Sequence, residues 1–371
     1  METAQQPLRR ALTGPAARAV LTVLVVVAVF AFVLPRIADY AQVWELVTAM
    51  TWLETALLAG LAAVHVVSYA PVWAVALPGL GWRRAVLTDL ASTAVSNAVP
   101  VGFAFGVGTT AAMHRSFGFA PAPITRAVVL TGVWNNFVKL GMPVVALLSL
   151  ALTGDADRAL AVAAVSGTVV LVLALGALVA VLVHRGAAIT LARAAERLVG
   201  RLARRLRRRQ PSGWEARVDR FRADSLALLR RRWPALTVAA VVNHTLLFIL
   251  LIATLRSIGG QGADVGWPWV LAVFALTRLV TLVPITPGAV GVAELSYVAG
   301  LTAVGVGAVT ASGAVLLFRA LTWLLPIPLG LAALVLWQRG AGQEPAAGPV
   351  PGAPQARPQA AWKERLDRPR A

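Results

Sequence analysis

Four ionisable side chains stand in otherwise apolar surroundings. Lys139 lies within Trp134-Asn135-Asn136-Phe137-Val138-Lys139, and Arg278 within Ala275-Leu276-Thr277-Arg278-Leu279. Glu294 follows a Pro/Gly-rich interruption, and Arg319 lies in Leu317-Phe318-Arg319-Ala320. A charge at the centre of a bilayer costs about 2.5–3.5 kcal/mol on insertion scales, so each needs a partner, a wet cavity or a function. Pairing of Glu294 with Arg319 or Arg278 would give them a purely structural role. Three cations against one carboxylate leave an excess of positive charge, which suits a cavity for an anionic group such as a phosphodiester. Asn135, four residues before Lys139, adds a neutral polar group to the same helical face.

Two interruptions of the apolar sequence sit beside these charges. The first reads Ser96-Asn97-Ala98-Val99-Pro100-Val101-Gly102 and continues to Gly106 and Gly108. The second reads Pro284-Ile285-Thr286-Pro287-Gly288-Ala289-Val290-Gly291-Val292-Ala293-Glu294. Hydrocarbon cannot satisfy the backbone groups that such a break frees, so it persists only inside protein or against water. Paired breaks in the two halves of a membrane chain point to a transporter's central site. Asn97 has two readings, as a cap on the broken helix or as a substrate contact. Gly102, Gly106, Gly288 and Gly291 read first as permitting the turn and close packing; exposed N–H groups there would also suit an anion.

Composition supplies the setting. The chain has 371 residues, of which 58% are apolar and 13% charged. Apolar runs longer than ~18 residues recur, as transmembrane helices require. There is no cysteine, which excludes disulfides, thiolate metal sites and cysteine nucleophiles. The formal charge is +18, almost all from arginine, beside the apolar runs. That placement favours anionic lipid partners and topology control over nucleic-acid binding. The arginine, alanine and valine bias suggests a GC-rich bacterial genome.

The expected fold is an all-α polytopic membrane protein with about six transmembrane helices and two re-entrant, broken helical hairpins. Residues 1–16 read as disordered. The first membrane half covers 17–183, with spans at about 17–35, 51–78 (kinked at Pro71), 124–152 and 158–183, and a broken segment at about 86–118. Residues 184–233 read as a basic, amphipathic, cytoplasmic linker lying on the membrane surface. The second half covers 234–337, with spans at about 234–256 and 309–337 and a broken segment at about 267–306. Residues 338–371 read as a disordered tail. The run Ala19 to Leu34 reads as an uncleaved span rather than a signal peptide, because no small-residue cleavage site follows it. Arginine placement puts both termini in the cytoplasm of a bacterial cell, with the protein in its cytoplasmic membrane.

The halves align at a constant offset. Gly81-Trp82 recurs as Gly266-Trp267, Ala104-x-Gly106-Val107 as Ala289-x-Gly291-Val292, and Pro143 as Pro328, each 185 residues on. Span two runs inward and its counterpart outward, so the repeat is inverted, the arrangement behind alternating access in many transporters.

Other residues carry blander readings. His65 and His244 suit hydrogen-bonded packing. Asp155-Ala156-Asp157 resembles a metal-holding D-x-D but fits a solvated turn. Trp82, Trp233, Trp267, Trp269 and Trp337 suit interfacial anchors. No catalytic or cofactor motif is found, so neither enzyme activity nor a cofactor or metal is expected.

The run Pro287-Gly288-x-x-Gly291-x-x-Glu294, followed by Leu317-Phe318-Arg319-Ala320-Leu321-Thr322-Trp323-Leu324-Leu325-Pro326, resembles the flippase-like family of the lysylphosphatidylglycerol synthase transmembrane region. Ser96-Asn97-x-x-Pro100-x-Gly102 fits that family too. The resemblance implies lipid translocation, with Glu294 and Arg319 as substrate-cavity residues. It also implies two departures. No aminoacyl-transfer domain follows span six, so synthesis of lysyl-lipid is not expected. Ala289 and Ala293 stand where relatives often carry Gly and a polar residue.

The expected function is that of a flippase moving an anionic phospholipid or lipid-linked headgroup, held by Lys139, Arg278, Glu294, Arg319, Asn135 and Asn97 beside the breaks at Pro100, Gly102, Pro287, Gly288 and Gly291. The alternative is a membrane enzyme or accessory subunit acting on polyprenyl-phosphate sugars, with Asp155 and Asp157 at a metal.

Overall fold

A computed structural model describes residues 48–99, 102–153, 158–186, 214–282 and 287–341, with a few positions within 41–45 and 189–197. Residues 1–40, which include the first expected span, lie outside the described residues. So do Pro100, Asp155, Asp157, residues 198–213 and the tail from 342.

Among the described residues every regular element is a helix. In order they are α1 (Trp52–Val67), α2 (Ala70–Ala76), α3 (Trp82–Ala98), α4 (Gly102–Ser116), α5 (Pro121–Thr153), α6 (Arg158–Val183), α7 (Trp214–Ile258) and α8 (Trp267–Val280). A 3₁₀ turn (Pro287–Ala289), α9 (Val292–Ala303), α10 (Ala308–Arg319), a π-helical turn (Ala320–Leu324) and α11 (Pro326–Ala341) follow. Among the described residues five stretches are long and apolar enough to cross a membrane: α1–α2, α5, α6, α7 and α10–α11. They correspond to the expected spans two to six. The protein is a multi-pass, all-α membrane protein.

The broken segments form hairpins. α3 and α4 have 17 and 15 residues, and α8 and α9 have 14 and 12. At about 1.5 Å per residue no arm exceeds about 26 Å, short of the roughly 30 Å hydrocarbon core. α4 folds back on α3, and α9 on α8. The first hairpin closes tightly: a Cβ at Gly102 would strike the Ser96 carbonyl, and one at Gly106 the Ser96 hydroxyl.

The repeat is visible in local geometry. α3 and α8 both begin with an extended glycine N-cap followed by tryptophan, Gly81 (ψ 152°) before Trp82 and Gly266 (ψ 136°) before Trp267. It is visible in packing too. α3 lies along α11, and its counterpart α8 lies along α5, the counterpart of α10–α11. Each hairpin is therefore cradled by the crossing helix of the other half. Gly330 permits the first crossing, since a Cβ there would meet the Leu90 carbonyl and Ala94.

The structure differs from expectation at the linker. α7 is one helix of 45 residues running through Pro234, about 68 Å long. The boundary expected at 233/234 falls inside it. The apolar stripe expected on the membrane surface in this piece is Trp214, Val218, Phe221, Ser225 and Leu228; of it, Ser225 is buried and Leu228 packs against a cluster of Leu229, Leu130, Leu182 and Leu236. Arg222 donates to the Leu182 carbonyl at 3.0 Å and pairs with Asp219 at 3.2 Å. Arg193 pairs with Glu215 at 2.8 Å, so part of the linker's charge is spent on α7's own acids.

Two further details refine the expected spans. The kink in span two comes at Ser68–Tyr69, with Pro71 in the first turn of α2. α11 ends at Ala341, four residues beyond the expected end of span six.

Candidate functional site

Both breaks dock on the π-helical turn that follows Arg319. From the first side, Asn97 Nδ2 donates to the Trp323 carbonyl at 3.1 Å. From the second, Gly288 lies against the Trp323 indole, where no Cβ would fit. Arg319 closes the arrangement by donating from Nη2 to the Gly288 carbonyl at 2.8 Å. A π-turn widens the helix by one residue and often marks a functional site. Here it offers carbonyls and an indole to two chain segments from opposite halves.

The second break is wound through left-handed backbone. Gly288, Ala289 and Gly291 have φ of 57°, 56° and 84°. Two are glycine, which tolerates this region; Ala289 is not, and bears the steric cost of its Cβ. Glu294 holds the break shut. Its Oε2 accepts from the Gly291 N–H at 2.7 Å, capping α9, and its Oε1 accepts from Arg319 Nε at 2.6 Å. The Glu294 side chain is 3% exposed and that of Arg319 14%. Burial at this depth is offset because both carboxylate oxygens are hydrogen-bonded and the guanidinium has a carboxylate and a carbonyl.

Beside this latch lies a cavity of about 340 Å³ between the two halves. It is large enough for about ten waters or a small headgroup. Arg278 and Arg319 line it from the second half, with Tyr297 and the backbone at Gly288. Asn97, Asn135, His65, Tyr69, Thr93 and Asp89 line it from the first. The cavity lies at the interruptions, and polar groups face it together with aliphatic ones such as Val66, Leu90 and Leu247.

The individual candidates separate. Arg278, Arg319, Asn135, Asn97 and Gly288 line the cavity. Glu294 does not; it is a positioning residue that aims Arg319 and fixes the break. Lys139, half-buried one turn beyond Asn135, does not line it either and stands within electrostatic range of Arg278. Gly102 packs the first hairpin, Pro287 opens the 3₁₀ turn, and Gly291 is the N-cap of α9. Of the histidines, His244 is buried with Nδ1 at 3.1 Å from the Ala240 carbonyl, whereas His65 faces the cavity.

Asp89 is the functional-site candidate that sequence reading passed over. It follows Arg83-Arg84 so closely that it reads as part of the cytoplasmic start of the segment. The signal was present: Asp89, Thr93 and Asn97 recur every fourth residue, one polar stripe on α3. All three line the cavity. Asp89 lowers the positive excess counted from sequence. Glu294 compensates Arg319, while among the described residues no carboxylate lies within ion-pair distance of Arg278. Its Nε is buried without a hydrogen-bond partner.

Basic and polar groups also make contacts away from the cavity, at the ends of the molecule. At one end Arg84 lies 5.1 Å over the Phe117 ring, Ser116 accepts from Trp337 Nε1 at 2.7 Å, and Arg126 pairs with Asp224 at 3.9 Å. At the other, Gly307 donates to the Gln261 carbonyl at 2.9 Å. There, too, Arg256 pairs with Asp264 at 3.0 Å, so basic groups stand at both ends.

No curated protein matches the chain. A family model described as the lysylphosphatidylglycerol synthase TM region matches residues 19–330, which takes in both hairpins, the π-turn and every cavity residue named above. The chain belongs to that family.

Proposed function

We propose that this protein is a lipid flippase that moves a phospholipid or lipid-linked headgroup across the bacterial cytoplasmic membrane without altering it chemically. The observation that carries the reading is Arg278: a cation at bilayer depth, facing a polar cavity, with no carboxylate in ion-pair distance among the described residues. An uncompensated charge there is costly, and a phosphate would neutralise it each time one enters. Arg319 offers a second guanidinium. Two of its five donors serve Glu294 and Gly288, and the fork geometry of the rest suits a phosphate oxygen.

In this reading the polar wall of α3 and Asn135 on α5 replaces water around the headgroup while acyl chains stay in lipid. The inverted repeat makes the two access states mirror one another. The basic face, with Arg83, Arg84, Arg115 and Arg126, lies in the cytoplasm beside anionic lipid.

The test is translocation in proteoliposomes containing fluorescent acyl-chain-labelled phospholipid, read by reduction of outer-leaflet label. Wild-type protein is expected to bring inner-leaflet label out faster than protein-free vesicles do. Arg278→Gln and Arg319→Gln are each expected to lower that rate at least about tenfold, as loss of a charged hydrogen bond to the headgroup would. Wild-type rates equal to those of empty vesicles would overturn the reading, and unchanged rates in both variants would remove the assigned roles.

A further inference from the structure

Among the described residues, the cavity keeps one unmatched charge of each sign after internal pairing. Glu294 and Arg319 cancel at 2.6 Å. Arg278 remains on the second-half wall and Asp89 on the first-half wall, with the cavity between them and no ion pair joining them. They come from counterpart helices, α3 and α8. At the repeat offset, Arg278 corresponds to Thr93 and Asp89 to Phe274, so neither charge is duplicated across the pseudo-two-fold. The site is electrically polar by sequence, not by symmetry.

The surroundings of Asp89 suit a cation. Its Oδ1 accepts one hydrogen bond, from Trp73 Nε1 at 3.3 Å, a neutral donor that orients the carboxylate without neutralising it. Tyr69 lines the cavity beside it and meets Trp73 edge-on at 6.3 Å between ring centres. A carboxylate next to aromatic rings is the chemistry that holds an ammonium, by charge and by the ring quadrupole. Asn97 and Asn135 fill the space between with groups that hydrogen-bond either sign.

We infer that the cavity takes a zwitterionic headgroup, its phosphodiester at Arg278 and Arg319 and its ammonium at Asp89 and Tyr69. This rests on the transport reading and narrows its substrate: a phosphoethanolamine headgroup satisfies both unmatched charges, whereas a phosphoglycerol headgroup leaves Asp89 buried and uncompensated. Selection against the purely anionic lipid then comes from the unpaired carboxylate it leaves behind.

The experiment compares acyl-chain-labelled phosphatidylethanolamine and phosphatidylglycerol in otherwise identical vesicles, with the full chain. Wild-type protein is expected to move the ethanolamine lipid about tenfold faster or more, the discrimination that one charged hydrogen bond supplies. Asp89→Asn keeps the acceptor for Trp73 and removes the charge; it is expected to slow the ethanolamine lipid and bring the ratio near one. Asp89→Glu is expected to keep the preference, which separates loss of charge from loss of fold. Movement of both lipids at equal rates by wild-type protein, or a ratio unchanged in Asp89→Asn, would overturn the inference and leave transport standing. Movement of neither lipid would overturn both. Should Asp89→Asn fail to fold, the wild-type ratio decides alone.

Discussion

Truncating Glu294 is the sharpest probe of the latch between the second break and the last span. Glu294→Ala removes two short hydrogen bonds at once, 2.7 Å to the Gly291 N–H and 2.6 Å to Arg319 Nε. It strands a guanidinium that is only 14% exposed. Removing one partner of a buried ion pair costs about 3–5 kcal/mol, most of it from the charge left behind. The lost cap adds about 1 kcal/mol. At about 2–4 °C per kcal/mol for a domain of 150–250 residues, the expected fall in melting temperature is about 8–24 °C, read by tryptophan fluorescence in lipid nanodiscs. The double variant Glu294→Ala/Arg319→Ala has no stranded charge and should recover at least about 2 kcal/mol relative to the sum of the single losses. Additive losses, or a single-variant loss below about 1 kcal/mol, would refute the claim that Glu294 holds Arg319 and the break together.

Gly288→Ala should destabilise by about 2 kcal/mol or more, because the new Cβ meets the Trp323 indole at a φ of 57°, while Ala289→Gly should stabilise by about 1 kcal/mol by relieving a φ of 56°; thermal melts of the two variants check both signs. Arg278→Gln should hold or raise stability while lowering the proposed translocation, since it removes a charge with no carboxylate in ion-pair distance among the described residues; a melt lowered by more than about 2 kcal/mol would show that Arg278 has an intramolecular partner. The chain has no cysteine, so Arg115→Cys and Gln261→Cys report topology on a clean background. An impermeant thiol reagent added outside intact cells should label Gln261→Cys and leave Arg115→Cys untouched, and the reverse pattern would invert the orientation.

Much of this arrangement was legible because each feature has one dominant cause. Apolar length alone fixes α5, α6 and the span within α7. The Gly-Trp repeat works as a marker because both copies do one job, an extended N-cap and an anchoring first residue. The breaks could be found because glycine and proline cannot be hidden in hydrocarbon. What could not be read depends on tertiary partners. The face carrying Ser225 and Leu228 has the same pattern whether it meets lipid or protein, and only packing decides: Leu228 meets Leu130 of α5 and Leu182 of α6 through one cluster. Lys139 and Arg278 read alike, yet only Arg278 lines the cavity. The π-turn after Arg319 has no composition of its own; it is set by docking of Asn97 and Gly288 on one turn of helix. Asp89 was legible in principle, as one member of a polar stripe.

The packing constrains how the two access states of the proposed transport would interconvert. A rock of the sequence halves as rigid bodies would have to part α3 from α11 and α8 from α5 in one movement, exposing Gly330 and the polar face of α3 to lipid. The α3–α11 contact is built on Gly330 approaching the Leu90 backbone, which resists separation. The units that can move intact are mixed: the first hairpin with α11, and the second hairpin with α5. Between them stand the few bonds that cross the cavity, and the hinge they share is the π-turn, held by Asn97 from one unit and by Arg319 through Gly288 from the other. A phosphate drawing on Arg319 competes with the Gly288 carbonyl for the same guanidinium. In the proposed transport, headgroup arrival and release of the second break would therefore be linked through Arg319, whose reach toward the ligand Glu294 would limit.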